Sequence, residues 1–232
     1  MAGLLPTNTH IVGYARSSLT SDNLREKLRP YLSGGDEEEK AAFLSICSYL
    51  SGPYDAPDGY QNLGKLLKER ESCHCSAGRL FYLALPPNTF ASVCDGLKQY
   101  CDDIQGPPES SWIRVIVEKP FGRDLMSSEL LANDIGAHYP ENQLYRIDHY
   151  LGKEMVQNLL LMRFANTLLS PVWNKDNIAN VQITFKEDIG TQGRGGYFDE
   201  YGIIRDVIQN HLMQLVCFVA MEKVRYSSGC CY

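Results

Sequence analysis

The sequence predicts an α/β fold: a parallel sheet covered by helices on both faces, running into a second part with a different rhythm. Three observations predict it. Leu80 to Leu85, Ile113 to Val117 and Leu144 to Ile147 are short, nearly continuous apolar runs, the pattern of strands buried on two sides. Stretches of helical period separate them. Each run is closed by residues that stop a strand or carry charge: Pro86-Pro87, Glu118-Lys119-Pro120 and Asp148-His149.

The elements follow in order. His10 to Tyr14 reads as a first short strand, with Arg16 just beyond it. Thr20 or Ser21 can cap a helix bearing Leu24, Leu28 and Leu32 at i, i+4 and i+8, and Gly34-Gly35 ends it. Glu37 to Leu50 is a second helical stretch, with Phe43, Ile46 and Leu50 on one face. Gly52 to Asp58 is rich in turn formers. Helices are expected over Tyr60 to Arg70, Phe90 to Cys101 and Asp124 to His138. After Lys153 come a helix to about Ala165 and a partly alternating strand from Ile178 to Lys186. A glycine-rich loop from Gly190 to Gly196 and one long helix from Ile203 to Met221 follow. The βα rhythm stops near Asp148, so the expected domains are 1–148 and 149–232, the second being the start of an α+β part.

Composition narrows the function. The 232 residues are 44% hydrophobic and 22% charged, an ordinary globular balance, and the formal net charge of −6 gives no global attraction to nucleic acid or anionic lipid. Any bound anion must be held by a local basic cluster. The most apolar candidate span, Leu212 to Met221, contains Gln214 and is about half the length that crosses a bilayer. No basic and apolar leader precedes Pro6, so no export signal is read and the eight cysteines are expected to be thiols. Cys73-His74-Cys75 lacks a second ligand pair at zinc-finger distance, and no metal is expected.

Two stretches carry chemistry. In Arg146-Ile-Asp-His-Tyr-Leu-Gly-Lys-Glu154, a strand end and a helix start bring Asp148, His149, Tyr150 and Lys153 together. Free N–H groups beside cationic side chains suit a phosphate; the plainer reading is a capped loop with surface charges. Arg194 to Gln214 holds Asp206, Asn210 and His211 on a helix face otherwise filled with Ile, Val, Leu and Met. Polar groups there must find partners or line a cavity, so His211 reads either as a satisfied core histidine or as part of a site.

Both stretches are similar, nearly letter for letter, to the glucose-6-phosphate dehydrogenase family. So are Phe81-Tyr-Leu-Ala-Leu-Pro-Pro87, Glu118-Lys-Pro-Phe-Gly-Arg-Asp124, Lys153-Glu-Met-Val-Gln-Asn-Leu159 and Arg163-Phe-Ala-Asn166. The resemblance covers about residues 3 to 223. It implies a Rossmann-like dinucleotide-binding domain followed by the start of a substrate and dimerisation domain. It also implies oxidation of glucose 6-phosphate to 6-phosphogluconolactone with NADP, in a cytoplasmic or plastid setting, of which the cytoplasm is expected here. By resemblance His211 is the general base and Asp148 its orienting carboxylate. His149, Tyr150 and Lys153 hold the substrate phosphate, Lys119 bridges sugar and nicotinamide, and Glu187 and Asp206 fix sugar hydroxyls. Arg16 looks like the NADP-selecting arginine within Gly13-Tyr-Ala-Arg-Ser17. An arginine near this point can accommodate a 2′-phosphate, although it also reads as a surface charge.

The departures are at the ends. The family's opening strand and glycine-rich pyrophosphate turn have no counterpart, so Ile11 to Tyr14 corresponds to its second strand, and the resemblance fades near Lys223. The dinucleotide-binding domain is therefore expected to be partial, to leave strand edges uncovered and to fold poorly. The homodimer or tetramer interface of the family is expected to be largely missing. An alternative to the enzyme is a non-catalytic product that binds sugar phosphate weakly or pairs with a full-length subunit.

Overall fold

The computed structural model describes residues 5–72, 76–104, 106–107, 109–186, 190–193 and 195–223. Glu187, Arg194, Cys73-His74-Cys75 and the tail from Val224 lie outside the described residues. The chain divides into two compact units, Met1–Val117 with Ser128–Tyr145, and Glu118–Ser127 with Arg146–Tyr232.

In the first unit, β1 (Ile11–Ala15) and β2 (Cys47–Ser51) pair in parallel, Ile11 opposite Cys47. Between them run α1 (Ser21–Leu28), a 3-10 turn (Arg29–Tyr31) and α2 (Glu37–Ser45). Both helices start with a capping box. Thr20 and Asn23 exchange side-chain-to-backbone hydrogen bonds, as do Asp36 and Glu39, satisfying N–H groups that a helix start leaves unpaired.

The strand β2 corrects the sequence reading, which carried a helix through Leu50. Phe43, Ile46 and Leu50 fit a helical period, but Cys47-Ser-Tyr-Leu-Ser gains a backbone partner in β1 that periodicity does not reveal. Arg25 makes the early stop tolerable. Its Nε donates to the carbonyls of Leu44 (3.1 Å), in the last turn of α2, and Cys47 (3.0 Å), at the start of β2, and so bridges the change from helix to strand.

The rest of the first unit keeps the expected alternation: α3 (Pro57–Glu71), β3 (Gly78–Leu83), α4 (Phe90–Tyr100), β4 (Trp112–Glu118), α5 (Leu125–Gly136) and β5 (Leu144–Ile147). The strands form a second sheet in the order β3-β4-β5, with β3 and β4 parallel. Ile113, Val115 and Val117 of β4 are buried with Phe90, Val93 and Leu97 of α4. α3 and α4 approach so closely that a Cβ on Gly64 would sit 2.2 Å from the Tyr100 carbonyl oxygen. Arg79 is buried at the start of β3. It donates to both carboxylate oxygens of Glu71 at 2.6 Å and to the Cys101 carbonyl at 2.6 Å, tying α3, β3 and the end of α4 together.

The other face of this sheet departs from expectation. Leu80 and Tyr82 are 53% and 52% exposed, and Trp112 and Tyr145 are also exposed. Among the described residues the β3-β4-β5 sheet is covered on one face, not two. The Arg114 guanidinium lies over the Trp112 ring at 4.6 Å on the open side.

The elements that lie wholly within the second unit are helical among its described residues. A 3-10 turn (His149–Gly152) leads into α6 (Glu154–Leu160), which continues as a π-helical turn (Leu161–Ala165). The strand expected over 178–186 is absent, because no neighbour pairs with this segment among the described residues. The expected glycine loop is shorter than read: α7 (Gly195–Ile203) already begins at Gly195. The long C-terminal helix is present but not uniform. Ile204–Leu212 is a nine-residue π-helical segment, and α8 (Met213–Ala220) completes it. Arg163 donates to the Phe218 carbonyl (2.6 Å) and Trp173 Nε1 to that of Val219 (3.0 Å), satisfying the last turn of α8. No helix among the described residues is long and apolar enough to cross a membrane.

Candidate active site

The site lies within the second unit and begins with Asp148. This residue caps the 3-10 turn, its Oδ1 accepting the backbone N–H of Tyr150 at 3.0 Å. The same oxygen receives His211 Nδ1 at 2.6 Å. Both side chains are almost fully buried, at 3% exposure for His211 and 9% for Asp148. An ionised carboxylate can only accept, so Nδ1 carries the proton and Nε2 keeps its lone pair. The pair therefore presents a base held in one tautomer.

Helix winding decides which residues join this pair. In an α-helix, residues five apart are about 140° apart around the axis. The i→i+5 bonding of the π segment lengthens the turn and brings Asp206 and His211 onto one face, where both are buried. Asn210, expected beside them, turns away. Its Nδ2 donates to the Arg205 carbonyl at 3.2 Å, and its Oδ1 accepts from the His211 backbone N–H.

The rest of the site surrounds these two residues. Tyr150 stacks on the His211 ring, centroids 3.8 Å apart and 14° between planes, and His149 meets it edge-on at 4.9 Å. The Lys153 Nζ lies 3.5 Å from the Tyr150 centroid. Lys119 Nζ donates to Asp206 Oδ1 and to the Asp206 carbonyl, each at 2.9 Å. Tyr197 OH donates to the same Oδ1 at 3.2 Å. The structure thus brings together Lys119, Asp148, His149, Tyr150, Lys153, Asp206 and His211. Glu187 lies outside the described residues. Arg16 belongs to the first unit, exposed beyond β1, with its guanidinium 5.4 Å from the Tyr54 ring centroid. Sequence reasoning missed Tyr197; the only signal was a tyrosine following Gly195-Gly196.

Electrostatics favours a neutral base. Burial, the largest cause, pushes the His211 pKa below its ordinary value of 6.5. The hydrogen bond and charge of Asp148 oppose this, while the charges of Lys119 and His149 add to it. Asp148, His149 and His211 place one donor atom each within 4.8 Å of one another, a spacing that a metal could use. The direct Nδ1–Oδ1 hydrogen bond accounts for it without one.

Comparison with known proteins decides the family. The family model described as "Glucose-6-phosphate dehydrogenase, NAD binding domain" matches residues 1–158, and its "C-terminal domain" counterpart matches residues 160–228. The chain belongs to the glucose-6-phosphate dehydrogenase family. It is 54% identical over 231 residues to the cytoplasmic isoform of glucose-6-phosphate 1-dehydrogenase from Solanum tuberosum, covering 95% of this chain and 44% of the relative. It is 52% identical over 223 residues to the Takifugu rubripes glucose-6-phosphate 1-dehydrogenase, with 41% of that protein covered. A solved glucose-6-phosphate dehydrogenase in complex with glucose 6-phosphate superposes with a TM-score of 0.87 at 51% identity, covering 95% of this chain and 46% of that one. The chain thus spans less than half the length of the family members it matches. Its first part is a Rossmann-like, nicotinamide-dinucleotide-binding domain of the family, followed by the start of the C-terminal domain.

Proposed function

We propose that this chain carries the hydride-transfer site of a glucose-6-phosphate dehydrogenase, oxidising glucose 6-phosphate to 6-phosphogluconolactone with NADP as acceptor. The observation that supports it best is the His211–Asp148 pair, with an imidazole Nε2 free to take a proton and the basic groups His149 and Lys153 beside it. His211 Nε2 takes the proton of the sugar C1 hydroxyl as the C1–H bond breaks and the C1 carbonyl forms. Asp148 holds the ring in the required tautomer and stabilises the imidazolium. His149, Tyr150 and Lys153 bind the phosphate, and Asp206 and Glu187 accept from sugar hydroxyls. Lys119, which donates to Asp206, bridges sugar and cofactor in this reading.

The nicotinamide, when bound, supplies the acceptor for the hydride that leaves C1. One guanidinium suits the 2′-phosphate of a phosphorylated dinucleotide. Arg16 is an exposed guanidinium over an aromatic ring beyond the carboxyl end of β1, and no carboxylate pairs with it among the described residues. This supports NADP over NAD. The Solanum tuberosum relative, named as a cytoplasmic isoform, supports a cytoplasmic setting.

The test is NADPH formation from glucose 6-phosphate and NADP, followed by absorbance, beside His211→Asn. Turnover in the unaltered chain is expected, with kcat lowered about 100- to 10,000-fold in the variant. Soluble, folded chain without turnover would overturn the proposal. Arg16→Ala is expected to raise the KM for NADP about 10- to 100-fold while leaving that for NAD unchanged; equal changes for both would remove Arg16 from the cofactor site.

A further inference from the structure

The residue between the base and the phosphate-binding lysine does more than its proposed contact to substrate requires. Tyr150 grips both members of the dyad. Its backbone N–H donates to the same Asp148 oxygen that receives His211 Nδ1, and its ring lies face to face with the imidazole at 3.8 Å and 14°. A single hydrogen bond at Nδ1 leaves an imidazole free to swing about that bond; a ring packed on its face does not. On the far side of the tyrosine ring sits the Lys153 ammonium, 3.5 Å from the centroid, and Phe185 meets the ring edge-on at 5.3 Å. The result is a three-layer stack of imidazole, phenol and ammonium, in which both Tyr150 and His211 are buried.

We propose that Tyr150 is a positioning residue for His211: its ring, carried between His211 and Lys153, fixes the plane of the imidazole and shields that face from water. This rests on the reading of His211 as the base and deepens it. The ring is electron-rich on both faces, but Lys153 already occupies one, so little of that attraction is left to draw a proton onto the imidazole. Shielding works in the same direction, since burial disfavours the charged ring. The charged and titratable groups around His211 are Asp148 and His149 from the 3-10 turn, Lys153 through the Tyr150 ring, Lys119 beyond β4, and Asp206 on its own helix, which Lys119 neutralises. Asp148 alone favours the imidazolium directly.

The test separates ring from hydroxyl in the full chain. The titration of His211 is read by NMR from its imidazole proton, assigned by its loss in His211→Asn. No substrate is needed, so this arm is independent of the dehydrogenase reading. Tyr150→Phe keeps the ring and leaves the titration unchanged. Tyr150→Leu keeps apolar bulk without the ring, and the titration moves up toward the ordinary histidine value as water reaches the imidazole. During turnover the acid limb of kcat/KM follows the same order, and kcat in Tyr150→Leu falls on the order of 10- to 100-fold below that of Tyr150→Phe. A leucine variant that titrates like the unaltered chain, or a phenylalanine variant that shifts as far as leucine, overturns the proposal. If the leucine variant does not fold, the phenylalanine variant decides alone, and any shift there overturns it. Absence of turnover with the expected titrations counts against the dehydrogenase reading only.

Discussion

At the scale of single residues, His211 governs how the site responds to pH. Its folded pKa lies below 6.5 because burial outweighs the pull of Asp148. His211, the base we propose, therefore stays unprotonated through neutral pH, and the acid limb of kcat/KM is expected to fall below 6.5. Asp148→Asn removes both influences that raise this pKa, so the limb moves further down while kcat drops by about 10,000-fold, as the ring loses its tautomer. A limb that moves up instead would mean that Asp148 does not stabilise the charged ring. Stability carries the same sign. Below 6.5 the unfolded chain takes up the proton before the folded chain does, so stability is lost as pH falls through the folded pKa. His211→Asn should flatten that part of a denaturant–pH profile. Much of this chemistry was legible in Arg146 to Glu154, because a strand end and a helix start place neighbouring residues in one spot. Tyr197 was not, because its partner Asp206 is reached through a kinked helix rather than through spacing.

At the scale of elements, the segment from Gly195 to Ala220 brings Tyr197, Asp206 and His211 to the site. The sequence shows a helix from Ile203, and the structure has one. Its winding was not legible, since the α period that its apolar residues suggest carries no sign of i→i+5 bonding. Gly202 joins α7 to this segment at φ 70° and ψ 164°, backbone that only glycine adopts without strain. Nothing lies within 4 Å of a Cβ built there, so Gly202→Ala tests backbone strain alone. It should destabilise the chain by about 1–3 kcal/mol in urea titrations. An unchanged midpoint would show that the junction relaxes into ordinary helix. The segment Glu37 to Leu50 teaches the complementary lesson. Its apolar spacing is helical throughout, yet a long-range partner, β1, converts its end to strand.

At the scale of the whole chain, the βα alternation from Gly78 to Ile147 was readable because buried parallel strands leave an unbroken apolar imprint. Which of their faces is covered was not, because the same imprint serves a sheet covered once or twice. The core beneath β3 and β4 contains a charged pair, Glu71 with Arg79, that links three elements. Glu71→Ala leaves a buried guanidinium without its carboxylate and should destabilise the chain by about 3–5 kcal/mol. Adding Arg79→Met should recover most of that, measured by thermal unfolding. Tyr139 gives a test of opposite sign. Its ring is fully buried and its hydroxyl finds no partner among the described residues. Tyr139→Phe should therefore leave stability unchanged or raise it by about 1 kcal/mol.

The π winding of Ile204–Leu212 also has a genetic consequence. In an ordinary α-helix, losing one codon turns everything downstream by about 100°, which scatters any pair of residues that straddle the gap. Asp206 and His211 are five apart and share a face only because the winding is wide. An in-frame loss of the Ile208 codon leaves them four apart, the separation at which an α-helix sets two residues one above the other. The stretch of gene between these two residues is therefore one where a missing triplet tightens the helix and still leaves the aspartate and the histidine on one face.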